Sequence, residues 1–382
     1  MSCSIRPRFL AFIMTFASAV LASSQVASSQ TDIGNTVQVT SPVAYVYVTS
    51  SPGGSANQIN AYAAASNGGL SAVPGSPFSS PVNYIALNGG WLFGTDGMNI
   101  DSFSIAANGS LTQVDTLEVE PEGGLVNLFL DHTGTSLYTD YFTENNEYMA
   151  YSIENSTGQL AYIDNIMGGP GIGSEASFIG DNEFAYSSSC YHFTPYIYGL
   201  QRSNDGAITL LNINPPLPAV PSGGFYCPWS AAADPTNHLA IAMQPLDSNW
   251  SPIGPYQLAS YTADSAGNLT TSSTFSNMPK VKVGGVIDYW MSPSGKFLAV
   301  GGSSGLQVFH FNRANPITKY TGLLTSDSID QIFWDNDNHL YALSRTGGKL
   351  YVFTVTAKSV THAPGSPHAI TDPEYIIVLP KT

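Results

Sequence analysis

The chain has 382 residues, with 27 acidic against 12 basic side chains and a formal charge of −15 at pH 7. An acidic excess of that size argues against nucleic acid and anionic membrane surfaces as partners. Only 10% of the residues are charged and 43% are apolar, with 36 Gly and 25 Pro, which fits a large core built from many short strands and tight turns.

Taken in order, the chain opens on Arg6 and Arg8, an apolar run from Phe9 to Ala22, and small residues such as Ala17-Ser18-Ala19. This is the pattern of a cleaved signal peptide, placed over residues 1–29. The run is too short for a stable membrane span; an uncleaved signal anchor is the alternative. Residues 30–43 read as a polar linker, and 44–382 as one folded domain. The expected location is periplasmic or extracellular. Two cysteines follow the leader, Cys190 and Cys227, and in an exported protein such a pair points to one disulfide.

From residue 44 onward a repeat dominates. A small-residue or Asx turn leading into Gly-x-Leu or Gly-x-Ile recurs at Asn67–Leu70, Asn108–Leu111, Thr157–Leu160, Asp205–Ile208 and Gly267–Leu269, with weaker copies ending at Ile317 and Val360. The spacing of roughly 40–60 residues is that of propeller blades or slightly more. Each turn follows an alternating apolar strand, C, such as Ile100–Ile105 or Leu350–Val355. Before C lies a strand B, such as Tyr45–Thr49 or Phe297–Val300, and before B a strand A, such as Leu125–Leu130 or Ile329–Phe333. Strand D follows the Gly-x-Leu turn. The first copy lacks A, and the chain ends on an unpartnered apolar run, Tyr375–Leu379. Ring closure resolves both: the last strand supplies A of the first blade and limits exposed sheet edges. The expectation is an all-β, seven-bladed β-propeller of four-stranded antiparallel blades, monomeric by default.

Tyr47-Val48-Thr49-Ser50, the Asn67-Gly68-Gly69-Leu70 turn and the Pro74-Gly75-Ser76-Pro77-Phe78 tail, echoed at Pro364–His368, carry a resemblance. The chain resembles the seven-bladed lactonase-like propellers, related to the 6-phosphogluconolactonase and cyclase type and to the Tyr-Val-Thr-Asn surface repeats. The resemblance implies a propeller fold and a His, Glu and Arg cluster at the channel mouth, with lactone hydrolysis as the activity. Ser50 departs from the Asn of the signature.

Loop lengths indicate where a site would lie. The A–B and C–D turns are short, while B–C or D–A connections such as Asp140–Glu147, Ser188–Thr194 and Asn212–Pro228 are long. In a meander these fall on one face, which marks one rim of the channel as the place for function. Cys190 is expected in a B–C loop of the fourth copy and Cys227 at the end of the next D–A loop. Polar candidates on this rim include Glu122, Asp140, Glu144, Glu147, Glu175, His192, Asp288, Asp330, Arg345 and Glu374.

Lactone hydrolysis needs a base for water and a donor or cation for the oxyanion. His192 or Glu175 would be the base and Arg345 the oxyanion or carboxylate ligand. Tyr226, Trp229, Asp288, Trp290 and Asp330 are the expected substrate-binding residues. Each also has an ordinary reading, as a solvated loop side chain or a packing residue. So few basic groups argue against a phosphosugar substrate. No metal or other cofactor motif occurs: Asp335-Asn336-Asp337-Asn338 lacks the Gly and distal Glu of a calcium loop and fits an A–B turn. Two readings follow: an exported lactonase-like hydrolase acting on a lactone or related ester, or a non-catalytic cell-envelope propeller that binds a carbohydrate, peptide or protein.

Overall fold

The computed structural model describes residues 41–54, 57–119, 125–141, 147–167, 175–191, 194–221 and 223–381. The expected signal peptide and most of the linker lie outside these residues, as do His192, Glu122 and Glu144. Seven antiparallel sheets follow one another around a ring. The first blade takes strand A from the far end of the chain: Pro373–Pro380 pairs with Ala44–Ser50, which is followed by Gln58–Ala64 and Leu70–Ala72. In this seam Tyr47 lies opposite Ile377 and Val48 opposite Ile376, so the run without a partner in the sequence closes the ring.

The other blades repeat the meander. Their A strands are Tyr84–Asn88, Leu125–Leu130, Ser177–Phe178, Phe225–Ala233, Val286–Met291 and Gln331–Trp334. Each pairs with its B strand: Trp91–Thr95, Ser136–Tyr141, Phe184–Tyr191, His238–Leu246, Phe297–Gly302 and His339–Ser344. The A strands of neighbouring blades touch around most of the ring and so form the wall of the central channel. Among the described residues no helix is long and apolar enough to cross a membrane.

Alternation explains why strands such as Ala44–Ser50 are buried on both faces. Tyr45 and Tyr47 point into one core cluster, with Ile85, Leu92 and Phe93 of the second blade. Ala44, Val46 and Val48 point the other way, into a cluster with Tyr341, Leu343 and Val352 of the seventh. Successive side chains of a strand face opposite sides, so one strand contributes to two inter-blade cores.

The Gly-x-Leu turns also join the blades. Tyr47 of the first blade donates its hydroxyl to the Gly109 carbonyl in the C–D turn of the second, at 2.9 Å. Tyr138 does the same to Gly206, and Tyr186 to Gly267, each at 2.8 Å. Gly109 has φ of +84°, and a Cβ there would sit 2.5 Å from a ring carbon of Tyr45. The turn therefore needs glycine both for its backbone and for the ring packed on it.

Some predicted connections are strand. Ser188–Thr194, expected as a long B–C loop, is mostly ladder, since the B strand runs to Tyr191 and pairs there with Thr194. Likewise Gln244–Leu246 and Phe225–Pro228 extend their strands. Cys190 is accordingly in strand B of the fourth blade, and Cys227 in strand A of the fifth, rather than in loops. Aromatic side chains at Tyr191, Phe225 and Tyr226 favour extension of the ladder. The two cysteines are disulfide-bonded, with Cα atoms 5.3 Å apart, and the bond staples two adjacent blades.

Candidate active site

A cavity of about 490 Å³ lies on the channel axis, within the range of small-molecule sites. Every blade contributes to it through its A strand or the residue before it: Tyr375, Tyr84, Asn127, Ser177, Trp229, Asp288 and Gln331. Asp140 and Ser188–Cys190 enter from the ends of two B strands. The starts of A strands and ends of B strands meet on the face that carries the B–C and D–A connections. A second cavity of about 170 Å³ shares Glu175, Ser177 and Trp290 with the first and reaches Leu130 and Met291 at the other ends of their strands. Glu175 therefore stands where the two cavities meet.

Local irregularities aim these side chains. The ladder registers shift between Asp140 and Tyr141, between Trp229 and Ala232, and between Val286 and Asp288. Bulges bend a strand and redirect its side chains. The bulge at Trp229 is held through its carbonyls: Tyr289 donates to Trp229 O at 2.7 Å, Ser188 to Ser230 O and Ser177 to Ala231 O, each at 2.6 Å. Trp229 is left 46% exposed. Trp290 packs on Phe333 with ring centroids 4.7 Å apart, and Tyr84 meets Tyr375 edge-on at 5.6 Å.

Four carboxyl groups line this cavity, those of Asp140, Glu175, Asp288 and Asp330, and the first three are pushed above their ordinary range. Burial raises Asp140 to about 6. Burial raises Asp288 to about 7, against the opposing effect of backbone N–H groups; Ile332 N donates to its Oδ2 at 2.7 Å. Burial raises Glu175 to about 8, helped by the negative charges of Asp288 and Asp140. The low-dielectric walls disfavour ionisation, and each charge makes the next one harder to form. The carboxyls titrate as a coupled set. At neutral pH Glu175 keeps its proton while Asp140 is ionised. The Oδ1 atom of Asp140, in a side chain only 2% exposed, has no hydrogen-bond partner among the described residues.

Among the described residues the cavity lining holds no Lys, Arg or His. Among the described residues no group of three His, Cys, Asp or Glu side chains is placed to hold a metal ion.

Of the residues singled out from the sequence, Glu175, Trp229, Asp288, Trp290, Asp330 and Cys190 all line this one cavity. Tyr226 is buried outside the lining, its hydroxyl donating to Gln257 Oε1 at 2.7 Å. Arg345 is half-exposed and ion-paired with Glu374; its backbone N–H donates to Asp330 Oδ2 at 2.7 Å, so it reaches the cavity only by holding Asp330. His192 lies outside the described residues. Sequence reasoning passed over Tyr84, Asn127, Gln331 and Tyr375, which read as ordinary strand residues. The usable signal was their place at or near the start of each A strand, with the i, i+2 alternation visible in Gln331 and Phe333.

No protein-family model matches the chain, and no curated protein matches it in sequence. Solved structures do match it in shape. The "putative 6-phosphogluconolactonase" of Bacteroides fragilis superposes with a TM-score of 0.65 at 14% identity, covering 88% of this chain and 98% of that one. Its namesake from Bacteroides uniformis gives 0.65 at 12%, covering 88% and 99%. A protein from Lactobacillus plantarum gives 0.63 at 13%, with the same coverage. At these identities the likeness is one of fold: this chain is a seven-bladed propeller built like the lactonase-type propellers.

Proposed function

We propose that the protein is an exported lactonase-like hydrolase that opens a lactone or related ester in the axial cavity. The observation that carries the reading is a set of coupled carboxyls converging on one cavity, Asp140 buried and Glu175 and Asp288 half-buried, with their proton affinities spread across neutral pH. Pairs of acids separated in this way divide the acid and base roles between them. Asp288, poised near 7, takes a proton from water as the water oxygen bonds to the carbonyl carbon. Glu175, still protonated at neutral pH, gives its proton to the ring oxygen as the C–O bond breaks. The product is a hydroxy acid, and proton exchange with water resets both groups. The lactonase names of the similar structures favour a lactone, while a cavity lining of carboxyls disfavours their phosphosugar. The Cys190–Cys227 disulfide is compatible with export.

The second reading, binding without chemistry, is favoured by one observation, the exposed Trp229, which lines the cavity together with Ile287, itself 41% exposed. Such a platform suits the apolar face of a carbohydrate.

Purified protein assayed on uncharged lactones separates the two. The hydrolase reading expects turnover that falls about 10²–10⁴-fold in Glu175→Gln and in Asp288→Asn. Absence of turnover on every lactone, or turnover unchanged in both variants, overturns it.

A further inference from the structure

The hydrolase reading gives Asp140 no proton to move, only its charge beside Glu175, and its setting is unusual. It is the deepest of the three carboxyls by exposure and the one with the lowest proton affinity. Burying an ionised carboxylate costs several kcal/mol unless a donor or counter-charge meets it. Among the described residues Oδ1 has no hydrogen-bond partner, and burial is opposed only weakly, by the backbone N–H of Asp140 itself. Asn127, opposite Asp140 in the ladder, turns its side-chain oxygen to the Tyr375 hydroxyl at 3.3 Å.

The chain segments between residues 41 and 381 that lie outside the described ones contain no Lys or Arg, and His192 is their one basic side chain. A metal ion is a poor match, because it asks for several ligands converging at short range, and no such group exists among the described residues. The walls instead offer ring faces at Trp229, Trp290 and Phe333, which attract organic cations through their quadrupoles. Carboxylate and aromatic surface together, with an acceptor awaiting an N–H donor, define the complement of a protonated amine. Resting on the proposed reading only in placing the ligand in the same cavity, we infer that the cavity selects ligands bearing a primary or secondary ammonium group, which Asp140 anchors.

The inference is tested by binding, independently of turnover. Cyclohexylamine, cyclohexanol and cyclohexanecarboxylate share one ring and differ in charge. Titration calorimetry of the disulfide-intact protein at neutral pH is expected to give the amine about tenfold tighter binding than the alcohol, and the carboxylate weaker binding than either. Asp140→Asn keeps the shape and removes the charge. It is expected to lower amine affinity to within about twofold of the alcohol while alcohol binding persists, which also reports that the variant is folded. Equal or tighter binding of the alcohol or the carboxylate by the wild type overturns the inference, as does failure of all three to bind. An amine preference that survives in Asp140→Asn also overturns it. Amine binding without lactone turnover removes the hydrolase reading and leaves this one standing; turnover without amine preference does the reverse.

Discussion

Glu175 is the residue on which the electrostatics of the channel turn. Burial and the charges of Asp288 and Asp140 hold its proton on up to about pH 8. An acid whose folded pKa lies above its unfolded value binds protons preferentially in the folded state. Its contribution is therefore fully present below the unfolded value, near pH 4, and is lost as pH rises through about 8. Asp140 and Asp288 act with the same sign, their contributions falling from the unfolded value upward and fully lost once pH has passed about 6 and 7. Glu175→Gln removes the penalty of ionising this site. Thermal melts are expected to show the variant more stable than wild type by about 2–4 °C at pH near 8, with the gain vanishing at pH near 4. A variant less stable at both pH values contradicts the account.

The carboxylates and tryptophans of the site were legible because they border the B–C and D–A connections, which the repeat assigns to one rim. The roles were less legible. Proton affinity depends on which charges face each other, and Asp140, Glu175 and Asp288 lie in three different blades. Arg345 illustrates the converse: the sequence offered it as the oxyanion or carboxylate ligand, yet its charge pairs with Glu374 outside the cavity lining.

At the scale of elements, the turns and the staples between blades carry the stability. The A–B turn of the seventh blade is organised by Asp335, fully buried. Its Oδ1 accepts the backbone N–H groups of Asp337 and His339, and its Oδ2 meets His339 Nδ1 at 2.7 Å and the Tyr341 hydroxyl at 3.0 Å. Asp335→Ala strands these buried donors and is expected to cost about 2–4 kcal/mol in urea unfolding; a loss under about 1 kcal/mol contradicts the network's role. Gly109→Ala is expected to cost at least about 2 kcal/mol in the same measurement, from strain at positive φ and the clash with Tyr45.

The disulfide spans 37 residues, and its reduction or Cys227→Ser is expected to cost about 3–4 kcal/mol by loss of the constraint on the unfolded chain. These elements show where sequence reading succeeds. The Gly-x-Leu period found the blades because the turn is both a local backbone requirement and the seat for a neighbouring tyrosine. It misplaced the ends of strands such as Phe184–Tyr191, because a ladder extends as far as the partner strand allows, and that partner is not a local property.

The whole molecule is a closed ring whose two ends share one blade. Pro373–Pro380 gives strand A to the blade that begins at Ala44, and also carries Tyr375 into the cavity. Closure was readable from arithmetic alone, a first copy lacking a strand and a last strand lacking a copy. The cavity was not, because its residues come from all seven blades and only the closed ring brings them together. Deletion of residues 373–382 removes the seam, exposes the edge at Ala44–Ser50, and is expected to abolish cooperative unfolding. A truncated chain that melts cooperatively at the wild-type temperature contradicts the closure.

The central claim, that Glu175 and Asp288 run acid–base chemistry in this cavity, is met most directly by the pH dependence of kcat/KM on an uncharged lactone. The account predicts a narrow bell, rising as Asp288 ionises near 7 and falling as Glu175 ionises near 8, with the falling limb lost along with most of the activity in Glu175→Gln. A profile that is flat across this range, or one unchanged in Glu175→Gln, would contradict it.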